Sequence, residues 1–332
     1  MSNSRPKISV AVITYNQQNT IAQTLDSILM QKGDFDLELV VGEDCSTDNT
    51  LAICKQYAER NPNIIKLLSG PKNLGITHNF VRTITACSGE FIGDIAGDDY
   101  YIDDHALEKQ MNYMLEHPDV GVMGANGYRF YVKQNRKELG ENELVNQIEA
   151  KEFFFNPNYK GGVIIQGGGL MVRRELLKYV DFDEIIRRKL PVEDYPMQAI
   201  WSQHTKFWRL EDPLVVYRVY KESATFVPFE HPKYLSYHRG LMDTRRYLNE
   251  LFPDDACFTE EQMQDFEFYK EFLLYLHRCD YRQAKQLMQK YRHLATQTHY
   301  MQATKYMRSW FHFIAFHCYK EHVYKKQGID KL

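Results

Sequence analysis

The sequence predicts an α/β fold in which a mostly parallel sheet is flanked by helices and is followed by a helical C-terminal region. From Lys7 onward, short β-rich runs alternate with amphipathic helical stretches, which is the rhythm of parallel βαβ units. After Val219 the strand signals fade, and segments rich in Tyr, Gln, Lys and Leu show helical periodicity. We therefore divide the 332 residues into an α/β domain, residues 1–225, and a helical region, residues 226–332.

The individual elements follow from apolar runs and from their boundaries. Strands are predicted at Ile8–Ile13, Leu37–Val41, Ile64–Leu68, Phe91–Ile95, Val120–Val132 and Val163–Val172. Helices are predicted at Gln18–Gln31, Asp48–Arg60, Gly75–Ala86, Leu107–Glu116, Met197–Gln203, Glu260–Leu276 and Arg282–Leu294. The charged stretch between the last two strands is predicted to be loop and short helix.

Composition excludes several classes of protein. The chain is 44% hydrophobic and 26% charged, which is ordinary for a globular protein and excludes disorder and collagen-like repeats. A net charge of −3 provides no basic field for a polyphosphate backbone, so we expect no nucleic-acid partner. The six cysteines include no C-x-x-C pair and predict neither a zinc site nor a disulfide framework.

The sequence also bears on location. The apolar run Ile8–Ile13 is too short for a signal peptide, and no segment offers the roughly 18 uncharged apolar residues of a membrane span. We therefore expect a cytoplasmic protein.

Polar residues directly after the predicted strands are the first candidates for a functional site. Ligands of parallel α/β sheets gather at the carboxyl ends of strands. Suggestive groups occur at Thr14-Tyr15-Asn16, Glu43–Asp48 and Ala96–Tyr100, and before the predicted helix at Glu193-Asp194.

The turn after the strand Phe91–Ile95 contains the adjacent carboxylates Asp98 and Asp99. Such a pair repels itself unless a cation or solvent compensates the charge. Hard oxygen ligands with few protein contacts suit Mg²⁺ or Mn²⁺ held jointly with a diphosphate. The alternative is a solvated acidic turn, which would be the better interpretation for an isolated Asp-Asp pair.

Three other acidic residues have both a functional and a structural interpretation. Asp48 is interpreted as a helix-start residue, because carboxylates suit helix N-termini. Asp44 lies before that helix and could accept a hydrogen bond from a nucleobase N–H. Asp194 could act as a general base on an acceptor hydroxyl, or it could simply cap a helix.

The order of these motifs resembles that of the family-2 glycosyltransferases, which have the nucleotide-sugar-binding fold known as GT-A. The resemblance extends from about Lys7 to Tyr220 and stops there. The matching segments are Val12–Asn16, Thr24–Gln31, Glu43–Thr50, Lys72–Gly75 with Asn79, Gly89–Ile92, Gly97–Tyr100 and Glu193-Asp194.

The resemblance implies a role for each matching residue. Thr14, Tyr15 and Asn16 would border the nucleotide, Asp44 would hold the base, and Lys72 and Asn79 would lie beside the nucleoside. Asp98 would lie near the ribose or sugar, Asp99 would bind the metal, Asp194 would be the catalytic base, and Gln166–Gly169 would form the floor where acceptor and donor sugar meet.

The chain departs from the family pattern at two positions. Ala96 stands where the common acidic motif has another acidic residue, and Glu43 replaces the usual first Asp of the earlier turn. A further residue, Arg218, resembles a recurrent family feature that could approach the diphosphate, but pairing with a surface acid is equally compatible with its position.

The expected activity is therefore an inverting transfer of a sugar to an acceptor hydroxyl, with Mn²⁺ or Mg²⁺ as cofactor. By resemblance, the default donor is a UDP-sugar, and the acceptor is a glycan or lipid-linked intermediate of surface polysaccharide or glycoconjugate synthesis. Thr14–Gln17 contains no glycine, which argues against a sugar nucleotidyltransferase and a dinucleotide oxidoreductase. A catalytically silent sugar-nucleotide-binding or scaffold protein is the remaining alternative.

The C-terminal region contains a dense apolar group with cationic flanks. One interpretation is an interfacial helix that makes a peripheral membrane contact. The other, which we favour, is a helix docked on the catalytic domain or in a homo-oligomer interface, because aromatic stripes at helical spacing are usually core. The apolar residues are Tyr306, Met307, Trp310, Phe311, Phe313, Ile314 and Phe316, and the cations are Lys305, Arg308, Lys320, Lys325 and Lys326.

Overall fold

The computed structural model describes residues 5–140, 150–155, 168–190, 194–220, 232–256 and 258–326. The chain forms two compact units, Met1–Val219 and Tyr220–Leu332. The predicted domain boundary after residue 225 lies outside the described residues.

The first unit contains the strands and the helices that alternate with them. Its strands are β1 (Lys7–Thr14), β2 (Asp36–Glu43), β3 (Ile65–Leu68), β4 (Phe91–Ala96), β5 (Tyr100–Tyr101), β6 (Val120–Tyr131), β7 (Arg136–Leu139), β8 (Leu170–Arg173) and β9 (Lys206–Val219). Its helices are α1 (Ile21–Leu29), α2 (Thr50–Arg60), α3 (Ile76–Thr85), α4 (Ala106–Glu116), α5 (Ala150–Phe154), α6 (Phe182–Arg188) and α7 (Asp194–Trp201).

One sheet joins all of these strands in the order β3-β2-β1-β4-β8-β6-β9-β5, with β7 paired to β6. The pairs among β3, β2, β1 and β4 are parallel, as is the pair β6–β9. Strands β5, β7 and β8 pair antiparallel with their neighbours. The predicted class, a sheet flanked by helices, is confirmed, and the sheet is mixed.

The core of the first unit explains why most residues of β1 are apolar. In β1, Ile8, Val10 and Val12 are fully buried and belong to one apolar cluster. The amphipathic helix α1 adds Leu25 and Ile28 to the same cluster. Strands covered on both faces bury most of their side chains and need apolar residues throughout.

Some predicted boundaries differ from the structure. The helix predicted at Met197–Gln203 begins three residues earlier, at Asp194, because a proline such as Pro196 is tolerated in a first helical turn, where its missing N–H is not needed. The charged stretch predicted as loop contains β7 as well as a short helix. In the predicted strand Val163–Val172, residues 163–167 lie outside the described residues, and β8 begins at Leu170.

The described part of the second unit is helical. Phe268, Phe272 and Phe313 are fully buried at the centre of its apolar cluster. None of the described helices is both long enough and apolar enough to cross a membrane. The helices are α8 (Tyr234–Leu251), α9 (Glu260–His277), α10 (Tyr281–Lys290), α11 (Thr298–Tyr306) and α12 (Trp310–Lys326).

The apolar group of the C-terminal region contributes to this cluster. Tyr306 and Phe313 are buried in it, and Met307 and Phe316 pack against it, whereas Trp310 is exposed. The cluster therefore uses these residues within the second unit itself. Membrane contact and homo-oligomer formation through these helices stay predictions.

Candidate active site

The carboxyl ends of β1, β2 and β4 meet at one edge of the sheet, as predicted from their parallel order. Thr14 pairs with Glu43, and Ile13 pairs with Ala96. The hydrogen bonds continue one residue beyond the strands: Asp44 N donates to the Thr14 oxygen at 3.0 Å. The segments after these three strands are therefore neighbours.

Helix α1 holds the acidic turn that follows β4. The Thr24 hydroxyl donates to the backbone oxygen of Asp99 at 2.7 Å and lies 3.0 Å from that of Gly97. The Thr20 hydroxyl also donates to the Gly97 oxygen, at 3.0 Å. One turn further along, Ser27 accepts a hydrogen bond from Tyr101 N at 3.1 Å. Polar residues on α1 thus satisfy backbone groups that a turn leaves unpaired.

The acidic turn requires glycine at its first position. A Cβ on Gly97 would lie 2.5 Å from Oε1 of Gln17 and 2.7 Å from Oγ1 of Thr14. These two side chains are themselves bonded, with Thr14 donating to Gln17 at 2.7 Å. The Gln17 side chain also hydrogen-bonds Asp98. The loop after β1 therefore packs directly on the acidic turn.

Asp98 and Asp99 form an acidic pair with different surroundings. Asp99 is 1% exposed, and its Oδ1 accepts a hydrogen bond from Arg218 N at 2.8 Å. Burial raises the pKa of Asp99 well above its usual range, and the neighbouring charge of Asp98 adds to the rise. Burial also raises the pKa of Asp98, whereas the Arg218 charge opposes that rise. For both carboxyl groups, the effect of burial on the pKa exceeds the opposing effect of the Arg218 charge.

The acidic pair fits a divalent cation shared with a ligand. Within the described part of the chain, Oδ2 of Asp99 accepts no hydrogen bond, and it would lie 3.3 Å from a Cβ on Gly168. The described residues contain no cluster of three or more His, Cys, Asp or Glu side chains suited to a metal. The described residues thus supply only a few oxygen ligands. Such a site suits Mg²⁺ or Mn²⁺, which can take its other ligands from phosphate and water.

The three residues after β1 occupy different environments. Thr14 is buried, and Tyr15 is 45% exposed. Asn16 has a φ of 52°, which asparagine tolerates better than most residues. Its Oδ1 accepts from Thr47 N at 2.8 Å, and its own N–H donates to Ser46 Oγ at 2.9 Å. Asn16 therefore joins the loops after β1 and β2, and both Tyr15 and Asn16 are exposed.

Asp44 is buried and binds the loop that precedes α3. Its carboxylate accepts hydrogen bonds from Leu74 N at 2.8 Å and Gly75 N at 2.9 Å. Asn73 Nδ2 donates to the backbone oxygen of Asp44 at 3.0 Å. Lys72 in the same loop is exposed, and its side chain has no hydrogen bond or ion pair with any described residue. The structure thus places Asp44 and Lys72 in one neighbourhood.

Asn79 lies on α3, and its side chain is buried against β2. It is 2% exposed, and its Nδ2 donates to the Gly42 oxygen at 2.7 Å. Its Oδ1 accepts from Arg82 Nε at 2.9 Å, and Arg82 Nη2 donates to the Glu43 oxygen at 2.7 Å. Asn79 therefore contacts β2 directly at Gly42 and, through Arg82, at Glu43.

Asp194 is the first residue of α7, and its carboxyl group interacts with Asp94 on β4. Burial raises the pKa of Asp194 to about 6. Burial also raises the pKa of Asp94 to about 7, and the charge of Asp194 adds to the rise. The charge of Asp94 in turn contributes to the raised pKa of Asp99. Asp94 is therefore a carboxyl group that interacts with both Asp99 and Asp194. Glu193 lies outside the described residues.

Sequence reasoning missed three residues of this site. Asp94 lies within the predicted strand Phe91–Ile95, and a carboxylate in an apolar strand is a signal of function or pairing. Gln17 and Arg82 carried no signal, since their contacts come from neighbouring loops. Gln166 and Gly167 of the predicted glycine-rich floor lie outside the described residues, and Gly168 N donates to the Asp94 oxygen at 3.0 Å.

Comparison with known proteins shows the family to which the chain belongs. The model of the glycosyl transferase family 2 matches residues 9–180, just over half of the chain. An uncharacterized protein of Mycobacterium tuberculosis is 35% identical over 198 residues, which cover 57% of this chain and 52% of that protein. The chain thus spans about half the length of this curated relative.

Two solved structures have a similar fold. Staphylococcus aureus TarS 1-349 in complex with UDP-GlcNAc has a TM-score of 0.55 at 19% identity, covering 80% of this chain and 72% of TarS 1-349. The mannosyltransferase PcManGT from Pyrobaculum calidifontis in complex with GDP-Man and Mn²⁺ has a TM-score of 0.54 at 17% identity, covering 94% and 86%. The chain belongs to the glycosyl transferase family 2.

Proposed function

We propose that the chain transfers a sugar from a nucleotide-diphosphate donor to an acceptor hydroxyl, with inversion at the anomeric carbon. The observation that carries this proposal is the position of Asp94, whose carboxyl group interacts with both Asp99 and Asp194. A metal-binding acid and a base at one site are what an in-line displacement needs, because charge develops on both sides of the reacting carbon.

Each side of the reaction has its own residues. Asp194 takes the proton of the acceptor hydroxyl, so that the oxygen attacks the anomeric carbon opposite the departing diphosphate. Tyr15, Asp44 and Lys72 border the nucleotide, and Asp98 lies near its ribose or sugar. Asp99 would hold Mn²⁺ or Mg²⁺, which when bound would neutralise the charge of the diphosphate.

The substrate classes follow from the family and its relatives. TarS binds UDP-GlcNAc and PcManGT binds GDP-Man in the structures that resemble this fold, which supports a nucleotide sugar as donor. A UDP-sugar is our default. For the acceptor, we propose a glycan or lipid-linked intermediate of polysaccharide synthesis, by analogy with other members of the family.

A panel of nucleotide sugars would test this proposal. Thermal unfolding of the purified chain is measured with each nucleotide sugar, with and without Mn²⁺, and the stabilising donor is then assayed for hydrolysis and for transfer to acceptor hydroxyls. We expect a metal-dependent rise in the unfolding temperature with one class of donor, followed by turnover. Donor binding without hydrolysis or transfer would instead identify a catalytically silent binding protein.

A further inference from the structure

Arg218 lies near the end of β9 and contacts the acidic turn at Asp98 and Asp99. It is 8% exposed. Its guanidinium donates to the backbone oxygen of Asp98 and to Oε1 of Gln23. The guanidinium carbon lies 4.6 Å from the centre of the Tyr100 ring. Arg218 therefore joins the acidic turn to the residue Gln23 on α1.

The backbone of Arg218 makes a second kind of contact. Its N–H donates to Oδ1 of Asp99 at 2.8 Å, while Oδ2 accepts no hydrogen bond from a described residue. One carboxylate oxygen is thus held and the other is left for a ligand. The backbone bond depends on where β9 lies relative to the turn. The pairing of β9 with β5 and the guanidinium contacts with Asp98 and Gln23 both link β9 to this region.

We propose that Arg218 is a positioning residue that sets the affinity of Asp99 for its divalent cation. This inference rests on the proposed function, in which Asp99 binds Mn²⁺ or Mg²⁺. Partners that orient a metal ligand usually contribute 10- to 100-fold to metal affinity. The guanidinium fork suits this task, since its donors are fixed in one plane that also stacks on a ring, whereas the lysine ammonium is a point charge on a flexible stem.

The charge of Arg218 should affect cation binding in the direction opposite to its positioning role. A positive charge beside the metal would weaken cation binding, so removing it could tighten binding. Arg218→Lys keeps the charge and loses the fork, whereas Arg218→Met loses both. If positioning dominates, the lysine variant binds Mn²⁺ about 10-fold more weakly than the wild type. If the charge dominates, the lysine variant binds normally and the methionine variant binds more tightly.

Binding of Mn²⁺ alone to the full chain is measured from the electron paramagnetic resonance signal of the free ion. Arg173→Lys is a matched control, because Arg173 also donates to two backbone oxygens, those of Val120 at 3.1 Å and Met114 at 2.5 Å, and lies 5.3 Å from the Phe91 ring. We expect Arg173→Lys to bind Mn²⁺ like the wild type. Thermal unfolding of each variant establishes that the measured protein is folded.

Asp99→Asn separates the failure of this inference from failure of the proposed function. If Asp99→Asn loses Mn²⁺ binding while Arg218→Lys retains wild-type affinity, the positioning role is overturned and the metal site stands. Equal weakening in Arg218→Lys and Arg173→Lys also overturns it, since the effect would then be general destabilisation. Unchanged Mn²⁺ binding by Asp99→Asn would remove the metal site itself.

Discussion

Asp94 and Asp194 are two carboxyl groups that share one environment, so their protons are linked. When interacting groups titrate together, the observed pKa values belong to the pair. Burial raises both pKa values above the ordinary range of an aspartate, to about 7 for Asp94 and about 6 for Asp194, and the charge of Asp194 adds to the rise at Asp94. A base with a pKa near neutrality is better matched to proton transfer than an ordinary aspartate.

The role of Asp194 can be tested by removing its charge. We expect Asp194→Asn to bind the nucleotide-sugar donor with near wild-type affinity while its transfer rate falls by roughly 10²-fold or more, as loss of a general base implies. Donor titration and single-turnover transfer would measure the two effects separately. Collapse of donor binding in this variant would show that Asp194 has a structural role.

The pH dependence should follow the raised pKa of Asp194. A general base acts only when ionised, so the transfer rate should fall as the pH drops below about 6. Folding stability should depend on pH in the opposite direction to the rate. The raised pKa of Asp194 favours the folded state at low pH, and this contribution to stability is lost as the pH rises through about 6. Rates and unfolding temperatures between pH 5 and 8 would check both directions; a rate independent of pH across that range would contradict the assignment.

At the scale of elements, the acidic turn depends on the close packing of three segments. Gly97→Ala would place a Cβ against Gln17 and Thr14, and we expect a loss of about 1–3 kcal/mol of stability from overpacking. Gly70→Ala is the control, because its Cβ would make only ordinary contacts, with Arg82 Nη1 at 3.7 Å and the Lys72 backbone oxygen at 4.0 Å. Urea unfolding of both variants measures the difference. Equal stabilities would show that the loop after β1 can move away.

The elements predicted correctly from sequence are those whose own residues determine them. Strands β1, β2 and β4 are buried apolar runs, and such runs are recognisable without knowledge of their neighbours. Strand β7 (Arg136–Leu139) is exposed and has no apolar alternation, so only its pairing with Tyr128–Tyr131 makes it a strand. Pairing of this kind depends on the rest of the fold and leaves no local pattern.

The same distinction applies to the site. The gathering of Thr14, Asp44 and Asp99 at one edge followed from the order of parallel strands. The interaction of Asp94 with Asp194 joins positions 100 residues apart in the chain, and the burial of Asn79 depends on how α3 packs against β2. Side-chain direction at such positions is decided by tertiary packing, which motif spacing does not describe.

At the scale of the whole molecule, the second unit has a core of its own. Phe313 is fully buried there, and its ring centre lies 6.3 Å from that of Phe272. We expect Phe313→Ala to destabilise the second unit by about 3–5 kcal/mol, the usual cost of truncating a buried aromatic side chain. Tyr319→Ala is the control, since Tyr319 is 60% exposed and should change stability by no more than about 0.5 kcal/mol.

Thermal unfolding of both variants would check this expectation. A drop in unfolding temperature for Phe313→Ala, with little change for Tyr319→Ala, would agree with a packed α12. Equal and small effects would mean that α12 is not held in the core of the second unit, and the membrane interpretation of this helix would then become the stronger one.

The carboxylate of Asp44 has a consequence for the rate at which the neighbouring loop exchanges hydrogen with solvent. The amides of Leu74 and Gly75 precede a helix, but both donate to a buried acceptor. Amides bonded in this way open rarely and should take up deuterium far more slowly than those of an ordinary surface loop. If a nucleobase competes for Asp44, adding the donor should speed deuterium uptake at Leu74 and Gly75 and slow it in the acidic turn. If Asp44 only holds the loop, the donor should leave uptake at Leu74 and Gly75 unchanged.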